Sequence, residues 1–389
     1  MLASCLVGGL AACGSDGGGS DGAPSTTKAP ATTTTSAPAA EGAAYAGPGP
    51  HQVGTTTFAL DDGRRVKVFY PAADSAAKQP KENFDIASLL SPELQAEIPA
   101  ELRPAYEIDA HPGAEPAEDG PFPVVLFSHG YAGYPEQSAD LVTHLAEWGF
   151  VVIAPNHVER SLDGLLGTAG KGVTPRKDPE VLSASLDAAI AESESADSPL
   201  HELLDLDQVA IAGHSAGASA TYAAAVSETR AKAFIAYSLG NGSRDGGPPP
   251  KLPTPDIPGM VMVGEADGII PAETSVGMFE AMNPPKVLVE IADAGHLVFS
   301  DICLIGRDQG GLVALVKEAG LDLPPNLLRL ASDGCEQDAL DPEDAFAAID
   351  HLSVAFLRAS LGIDEEPVGL DQATADTFET ADITVTVEP

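Results

Sequence analysis

From residue 122 onward, short apolar runs alternate with stretches whose apolar residues recur at helical spacing. "FPVVLFSHG" at 122–130 is a continuous apolar run closed by glycine, the pattern of a strand buried on both faces. "EQSADLVTHLAEWG" follows with the helical period, then "FVVIAPNH" as strand and "DPEVLSASLDAAIAESESA" as helix. The alternation continues through strand "QVAIAG", helix "AGASATYAAAV", strands "AKAFIAYS" and "GMVMVGEAD", helix "AETSVGMFEAM" and strand "KVLVEIADAG". This order predicts an α/β fold on a doubly wound, mostly parallel sheet. A last helix is predicted over about 342–361, with Phe346, Ile349, Ser353, Phe356 and Leu357 along one face. At the other end, "TTTFAL" and "RRVKVFYPA" flank Asp61-Asp62-Gly63, which predicts an antiparallel hairpin.

Three segments lack this periodicity. Residues 14–50 are Gly, Ser, Thr, Pro and Ala, with too little apolar side chain to offset the entropy of ordering them. They are expected to be a disordered linker, which leaves 51–361 as one folded domain. Residues 75–120 are Pro-rich and hold one amphipathic candidate, "FDIASLLSPELQAEI", with a break at Pro92. They form either a lid or a surface excursion; the pattern does not separate the two. Residues 362–389 carry acids and no base, and are expected to be a loosely held tail.

Composition narrows the partners. With 20 basic and 58 acidic residues the formal charge is −38. Such a field repels nucleic acid and anionic membrane surfaces, and suits neutral or cationic substrates. Two of the four cysteines, Cys5 and Cys13, lie in the opening segment. Cys303 and Cys335 remain, and in an exported protein that pair reads as a disulfide. The opening "MLASCLVGGLAAC" is too short to span a bilayer. Leu10-Ala11-Ala12 before Cys13 resembles the end of a bacterial lipoprotein signal, although no basic residue precedes the apolar stretch. The resemblance implies lipidation at Cys13 and a cell-surface or extracellular location, with membrane contact only through that anchor.

Gly213-His214-Ser215-Ala216-Gly217 lies between a predicted strand and a predicted helix. That is the setting of a nucleophile elbow, with Ser215 on a sharp turn and glycines where side chains would collide. A serine hydroxyl needs a base, and the base needs an orienting acid. His296 follows the last strand of the alternation, on the functional side of an open α/β sheet. Asp267 ends "VMVGEAD"; Glu265 is the alternative, and Asp293 lies too close to His296. His214 is expected to point away from Ser215. The two N–H donors of an oxyanion hole are expected from Ala216, after the nucleophile, and from Tyr131, after Gly130. Neither His-x-x-x-His nor Cys-x-x-Cys spacing is present, so no metal or cofactor is expected.

"LFSHGYAG", "IAGHSAGA", "GEADGIIP" and "DAGHLVFSDIC" together resemble bacterial dienelactone-hydrolase-like α/β-hydrolases. That group lies close to platelet-activating-factor acetylhydrolases and cutinase-like polyester hydrolases. The resemblance covers about residues 52–361 and implies an α/β-hydrolase fold. It implies Ser215 as nucleophile, His296 as base, Asp267 as acid, and Tyr131 with Ala216 as oxyanion donors. Dienelactone hydrolases use cysteine where Ser215 stands. The acetylhydrolases take their acid after the strand that here reads "AKAFIAYSLGNG", which ends without a carboxylate, so Asp267 follows the polyester-hydrolase arrangement. The "GHLVFSDIC" run implies that Cys303, bonded to Cys335, anchors the loop behind His296. The expected activity is an exported serine ester hydrolase, with small-molecule or polymeric esters as substrates, acting as a monomer. A phospholipase, acetylhydrolase or acyltransferase on envelope lipid is the alternative enzyme. A catalytically inactive surface binding protein is the alternative from another class.

Overall fold

The computed structural model describes residues 42–389 apart from 104, 170–171, 243–251 and 322. The signal segment 1–13 with Cys13, and linker residues 14–41, lie outside the described residues. Strands β1 (Gln52–Ala59) and β2 (Arg65–Ala72) form the hairpin, paired from Gln52 opposite Ala72 to Ala59 opposite Arg65. Gly63 turns the chain at φ +82°, a conformation glycine adopts without strain. The excursion that follows holds β3 (Glu82–Asp85), helix α1 (Pro92–Glu97), β4 (Ala105–Ile108) and β5 (His111–Pro112). Pro92 opens α1 because its missing N–H is an unused donor there, and Ser91 caps the helix.

The alternating part follows. It runs β6 (Phe122–Ser128), α2 (Ala139–Glu147), β7 (Val151–Pro155), α3 (Leu162–Leu165), α4 (Asp178–Ser193), β8 (Leu204–His214) and α5 (Ala216–Ser227). It continues with β9 (Ala231–Tyr237), β10 (Gly259–Gly264), α6 (Ala272–Glu280), β11 (Lys286–Ile291), α7 (Leu312–Glu318), α8 (Pro325–Leu330) and α9 (Pro342–Ser360). Two elements close the order, α10 (Gln372–Ala375) and β12 (Ile383–Glu388). Ten strands make one sheet in the order β12-β11-β10-β9-β8-β6-β7-β2-β1-β5. The pairs from β7 through β11 are all parallel.

Side chains of one strand go alternately to two cores, one on each face. Val125 and Phe127 of β6 pack with Leu141, Val142 and Leu145 of α2 and with Leu352 and Phe356 of α9. Val124 and Leu126 of the same strand pack with Leu182 and Leu186 of α4 and Tyr222 of α5. Helices therefore cover both faces, which is why the central strands read as continuous apolar runs.

Three expectations differ from the structure. Residues 362–389 are a seated segment rather than a loose tail: β12 pairs antiparallel with β11 from Ile383 opposite Ile291 to Glu388 opposite Lys286. "ITVTVE" alternates apolar and polar residues, the pattern of a half-buried strand, beneath its acidity. The linker's last residues, 42–50, are anchored too. Tyr45 is buried, its N–H donates to His351 Nδ1 at 3.1 Å and its hydroxyl donates to Asp364 at 2.6 Å. Finally, α9 buries more than one stripe, including Ala345, Ala348, Leu352, Val354 and Ala355, while Phe346 is only half-buried. No helix among the described residues is long and apolar enough to cross a membrane.

Candidate active site

The turn between β8 and α5 puts Ser215 at φ 60°, ψ −119°, a left-handed conformation that costs about 1–3 kcal/mol for a residue other than glycine. The neighbouring packing imposes it. A Cβ on Gly213 would come 2.6 Å from the carbonyl oxygen of Gly217 and 2.7 Å from that of Ser128. A Cβ on Gly217 would run into the Ser128 carbonyl and come 2.6 Å from that of His129. Only glycine at both positions lets α5 start this close to the end of β6. The Ser215 N–H donates to Tyr237 O at 2.8 Å, which ties the turn to β9.

The structure brings Ser215, His296 and Asp267 together from the ends of three strands. His296 Nε2 lies 2.8 Å from Ser215 Oγ, and His296 Nδ1 lies 2.7 Å from Asp267 Oδ2. All three are buried. The other carboxylate oxygen of Asp267 accepts the N–H of Ile269 at 2.8 Å and of Ile270 at 2.7 Å. Burial alone would raise the Asp267 pKa, but the bond and charge of His296 with the Ile270 N–H outweigh it and hold the carboxyl below its ordinary value. Glu265, the sequence alternative, is exposed, and Asp293 makes no contact with the imidazole. The two N–H groups it accepts and its bond to His296 Nδ1 mark Asp267 as the acid that faces His296.

His214 does face away from Ser215, but it belongs to the site. Its Nε2–H donates to the carbonyl oxygen of His296 at 2.9 Å. Its Nδ1 accepts from Gln137 Nε2 at 2.9 Å, and Gln137 Oε1 accepts the Gly130 N–H at 3.0 Å. Gly130, Gln137, His214 and His296 thus form one buried relay between the loop after β6 and the loop carrying the base. Burial and the neighbouring His296 push the His214 pKa down to about 3, so this imidazole stays neutral. Sequence reasoning missed Gln137, because nothing in a helix-spaced polar residue marks a buried one.

The loop after β6 is held from below. Arg160 is buried and donates to the carbonyl oxygens of His129 and Gly130, to the latter at 2.9 Å, and to Ser128 Oγ at 2.8 Å. The Gly130 N–H is committed to Gln137 and the Ala132 N–H to Arg160 O at 2.7 Å. Tyr131 lies between them beside the cleft, and Gly130 sits against Ser215, where a Cβ would come 3.5 Å from Ser215 Cβ. Ala216 starts α5, so its N–H points out of the helix N-terminus.

Ser215 and His296 line an open cleft. Ile86, Leu90, Ile98 and Leu102 of the 75–120 excursion form part of its wall. Leu312, Leu315 and Val316 of α7 and Leu327 and Leu330 of α8 form another part. The excursion is fastened to the loop after β6 by aromatic contacts: Phe84 stacks on Tyr134 at 5.2 Å, and the Tyr106 hydroxyl donates to Glu136 O at 2.9 Å. The excursion is thus a wall of the cleft, which the sequence pattern left undecided. The α7–α8 wall carries no sequence prediction at all. The disulfide expected between Cys303 and Cys335 is present and joins the segment leaving His296 to the segment after α8. Among the described residues, no cluster of histidine, cysteine or carboxylate side chains could hold a metal.

Residues 113–240 match the family model for chlorophyllase, and residues 39–164 that for platelet-activating factor acetylhydrolase, isoform II. A ferulic acid esterase from Streptomyces cinnamoneus has a similar structure, with a TM-score of 0.56 at 19% identity over 87% of this chain and 96% of that one. These matches support an assignment of the chain to the α/β-hydrolase superfamily. No curated protein matches it. In this α/β fold the parallel strands end at the cleft, where ligand sites of open α/β sheets lie.

Proposed function

We propose that this α/β-hydrolase is a serine hydrolase of carboxylic esters, with Ser215 as nucleophile, His296 as general base and Asp267 as the acid that orients it. The observation that carries this reading is the continuous chain from Ser215 Oγ through His296 to Asp267, with links of 2.8 and 2.7 Å, at the floor of an apolar cleft. His296 takes the Ser215 proton as Oγ attacks the acyl carbon, then returns it to the departing alkoxide. Water, activated by the same imidazole, resolves the acyl-enzyme. The Asp267–Nδ1 bond fixes the tautomer that leaves Nε2 free to accept. The N–H groups of Tyr131 and Ala216 are the donors for the tetrahedral oxyanion, and such a donor contributes roughly 10²–10³ in rate. The start of α5 adds its partial positive charge at the same place.

The cleft suggests the substrate. Leucines and isoleucines dominate the lining, and among the described residues no Asp, Glu, Lys or Arg contributes to it. An ester with a bulky apolar group and no net charge fits such walls, and a neutral polyester segment is one member of that class. The protein's charge of −38 disfavours anionic substrates in the same direction. The family match to an acetylhydrolase favours a second reading, action on envelope lipid, which the same walls accommodate. Export is proposed on the leader pattern and the Cys303–Cys335 bridge, with lipidation at Cys13.

A fluorophosphonate probe tests the nucleophile. It should label the wild type at Ser215 and leave Ser215→Ala untouched; a wild type that stays unlabelled would overturn the proposal and favour a binding role. Neutral p-nitrophenyl esters of rising chain length, a polyester film and a phospholipid, compared side by side, then separate the substrate classes.

A further inference from the structure

We infer that Asp333 is a positioning residue for this reaction, tying the backbone of the base to the backbone beside its acid. The inference rests on the reading of Ser215, His296 and Asp267 as the reacting set. One oxygen, Asp333 Oδ1, accepts two N–H groups: that of His296 at 2.8 Å and that of Gly268 at 3.0 Å. Gly268 directly follows Asp267. A single carboxylate thus sets the spacing of the two loops whose side chains must meet at Nδ1.

The surroundings are built for that contact. The Asp333 carbonyl accepts the Leu297 N–H at 3.1 Å, and Arg329 donates to the Gly268 carbonyl. Gly295 and Gly334 lie back to back: a Cβ on Gly295 would come 2.6 Å from Gly334 N, and one on Gly334, at φ +90°, 2.9 Å from Gly295 Cα. These two glycines let the segment carrying Asp333 seat directly on the base loop. On the strand side the two loops are already joined, by the Ala266 N–H donating to Ala294 O at 3.0 Å. Asp333 supplies the join on the opposite side. Cys335, two positions on, is bonded to Cys303 on the segment leaving His296, so the bridge closes a ring through the base loop and Asp333. Asp333 does not line the cleft, so its role runs through His296 and not through substrate contact.

The test uses the full chain and a soluble p-nitrophenyl ester. Asp333→Ala should lower kcat by roughly 30- to 100-fold, the scale of a misplacement near 1 Å, with KM held within about threefold. Asp333→Asn keeps the Oδ1 acceptor and should recover kcat to within about fivefold of wild type. Reducing the disulfide with dithiothreitol should lower the wild-type kcat and leave Asp333→Ala nearly unchanged. A kcat for Asp333→Ala within threefold of wild type, an Asn variant as impaired as the Ala variant, or a change confined to KM would each overturn the inference. If Asp333→Ala does not fold, the Asn variant and the reduced wild type still decide, since a wild-type kcat indifferent to dithiothreitol also counts against it. Fluorophosphonate labelling of the wild type separates this failure from failure of the serine-hydrolase reading: a labelled wild type with an unaffected Asp333→Ala sinks only the positioning role.

Discussion

Ser215 and His296 sit 2.8 Å apart and are held by opposite means. Ser215 rides on a turn between β8 and α5 that backbone atoms alone enforce, with carbonyls of Ser128, His129 and Gly217 leaving room for nothing larger than hydrogen at two positions. His296 follows β11 on a one-turn 3₁₀ segment, His296–Phe299, and then a long stretch without a strand. What fixes it is a set of side chains from elsewhere: Asp333 on its N–H, His214 on its carbonyl, Asp267 on its ring, and the Cys303–Cys335 bridge behind. The nucleophile is positioned by sterics between neighbours in the sheet. The base is positioned by polar contacts that each can be deleted without changing a helix or strand. Damage to the first should appear as lost stability, and damage to the second as lost rate.

The largest effect is expected where the two halves meet. Ser215→Ala and His296→Ala should each lower ester hydrolysis by about 10⁴–10⁶-fold, and the double variant should be little worse than either, because the pair acts as a unit. Asp267→Asn should cost about 10⁴ by presenting the wrong tautomer. Initial-rate kinetics on folded protein measure all three; additive losses would show that the residues do not work together.

Next comes the elbow itself. Gly217→Ala pushes a methyl group into the Ser128 carbonyl and should cost about 4 kcal/mol or abolish folding, read by denaturant titration. A stable Gly217→Ala protein with normal rate would remove the steric half of the comparison. On the other side, replacing Cys303 and Cys335 together by serine should cost about 3–4 kcal/mol for a closed loop of sequence separation 32. It should also reduce turnover well below the melting temperature. Loss of stability without loss of rate would mean that the bridge does not reach the base.

The smallest effect concerns protons. The Asp140 N–H donates to the Asp301 carboxylate at 3.2 Å, which joins α2 to the segment following His296. Burial, then the Asp350 carboxylate, pushes Asp140 up to about 8 from an ordinary 3.8, and burial, then the Asp140 carboxylate, pushes Asp301 up to about 8 from the same value. The folded state therefore holds more protons than the unfolded state between about pH 4 and 8, and stability from these groups falls as pH rises through that window. Buried His214 and His157, lowered to about 3 and about 4, act in the opposite sense and lose stability as pH falls below the ordinary 6.5. Asp140→Asn should accordingly stabilise the protein by about 1–2 kcal/mol at pH 8 and by much less at pH 5. A pH-independent change in melting temperature would remove protonation from the account.

Which parts could be read beforehand follows the same division. The strands, the helices around them and the G-x-S-x-G turn were legible because each is specified by neighbours in sequence: apolar runs, helical period and two glycines around Ser215. His296 and Asp267 were legible as residues following strands. Gln137, Arg160 and Asp333 were not, because each has a partner 30 or more positions away and none carries a local signature. The strand at 383–388 was hidden differently: its alternation is clear in "ITVTVE", but the surrounding acids weighed toward a free tail. The same error applied to Tyr45, one aromatic at the end of a low-complexity stretch, whose partners His351 and Asp364 lie some 300 positions away.

That last contact bears on the order in which the molecule can assemble. Tyr45 donates its N–H to His351, 306 positions on, and packs edge-on against Trp148 at 4.9 Å. Trp148 Nε1 in turn donates to Gly47 O at 3.0 Å. During synthesis from the first residue onward, the seat of Tyr45 does not exist until helix 342–360 has been made and docked. The segment nearest the beginning of the described chain is thus among the last to settle, and closing so long a loop is slow. A growing chain carries its early strands without their final cover for most of its synthesis, which is the interval in which chaperone contact would count.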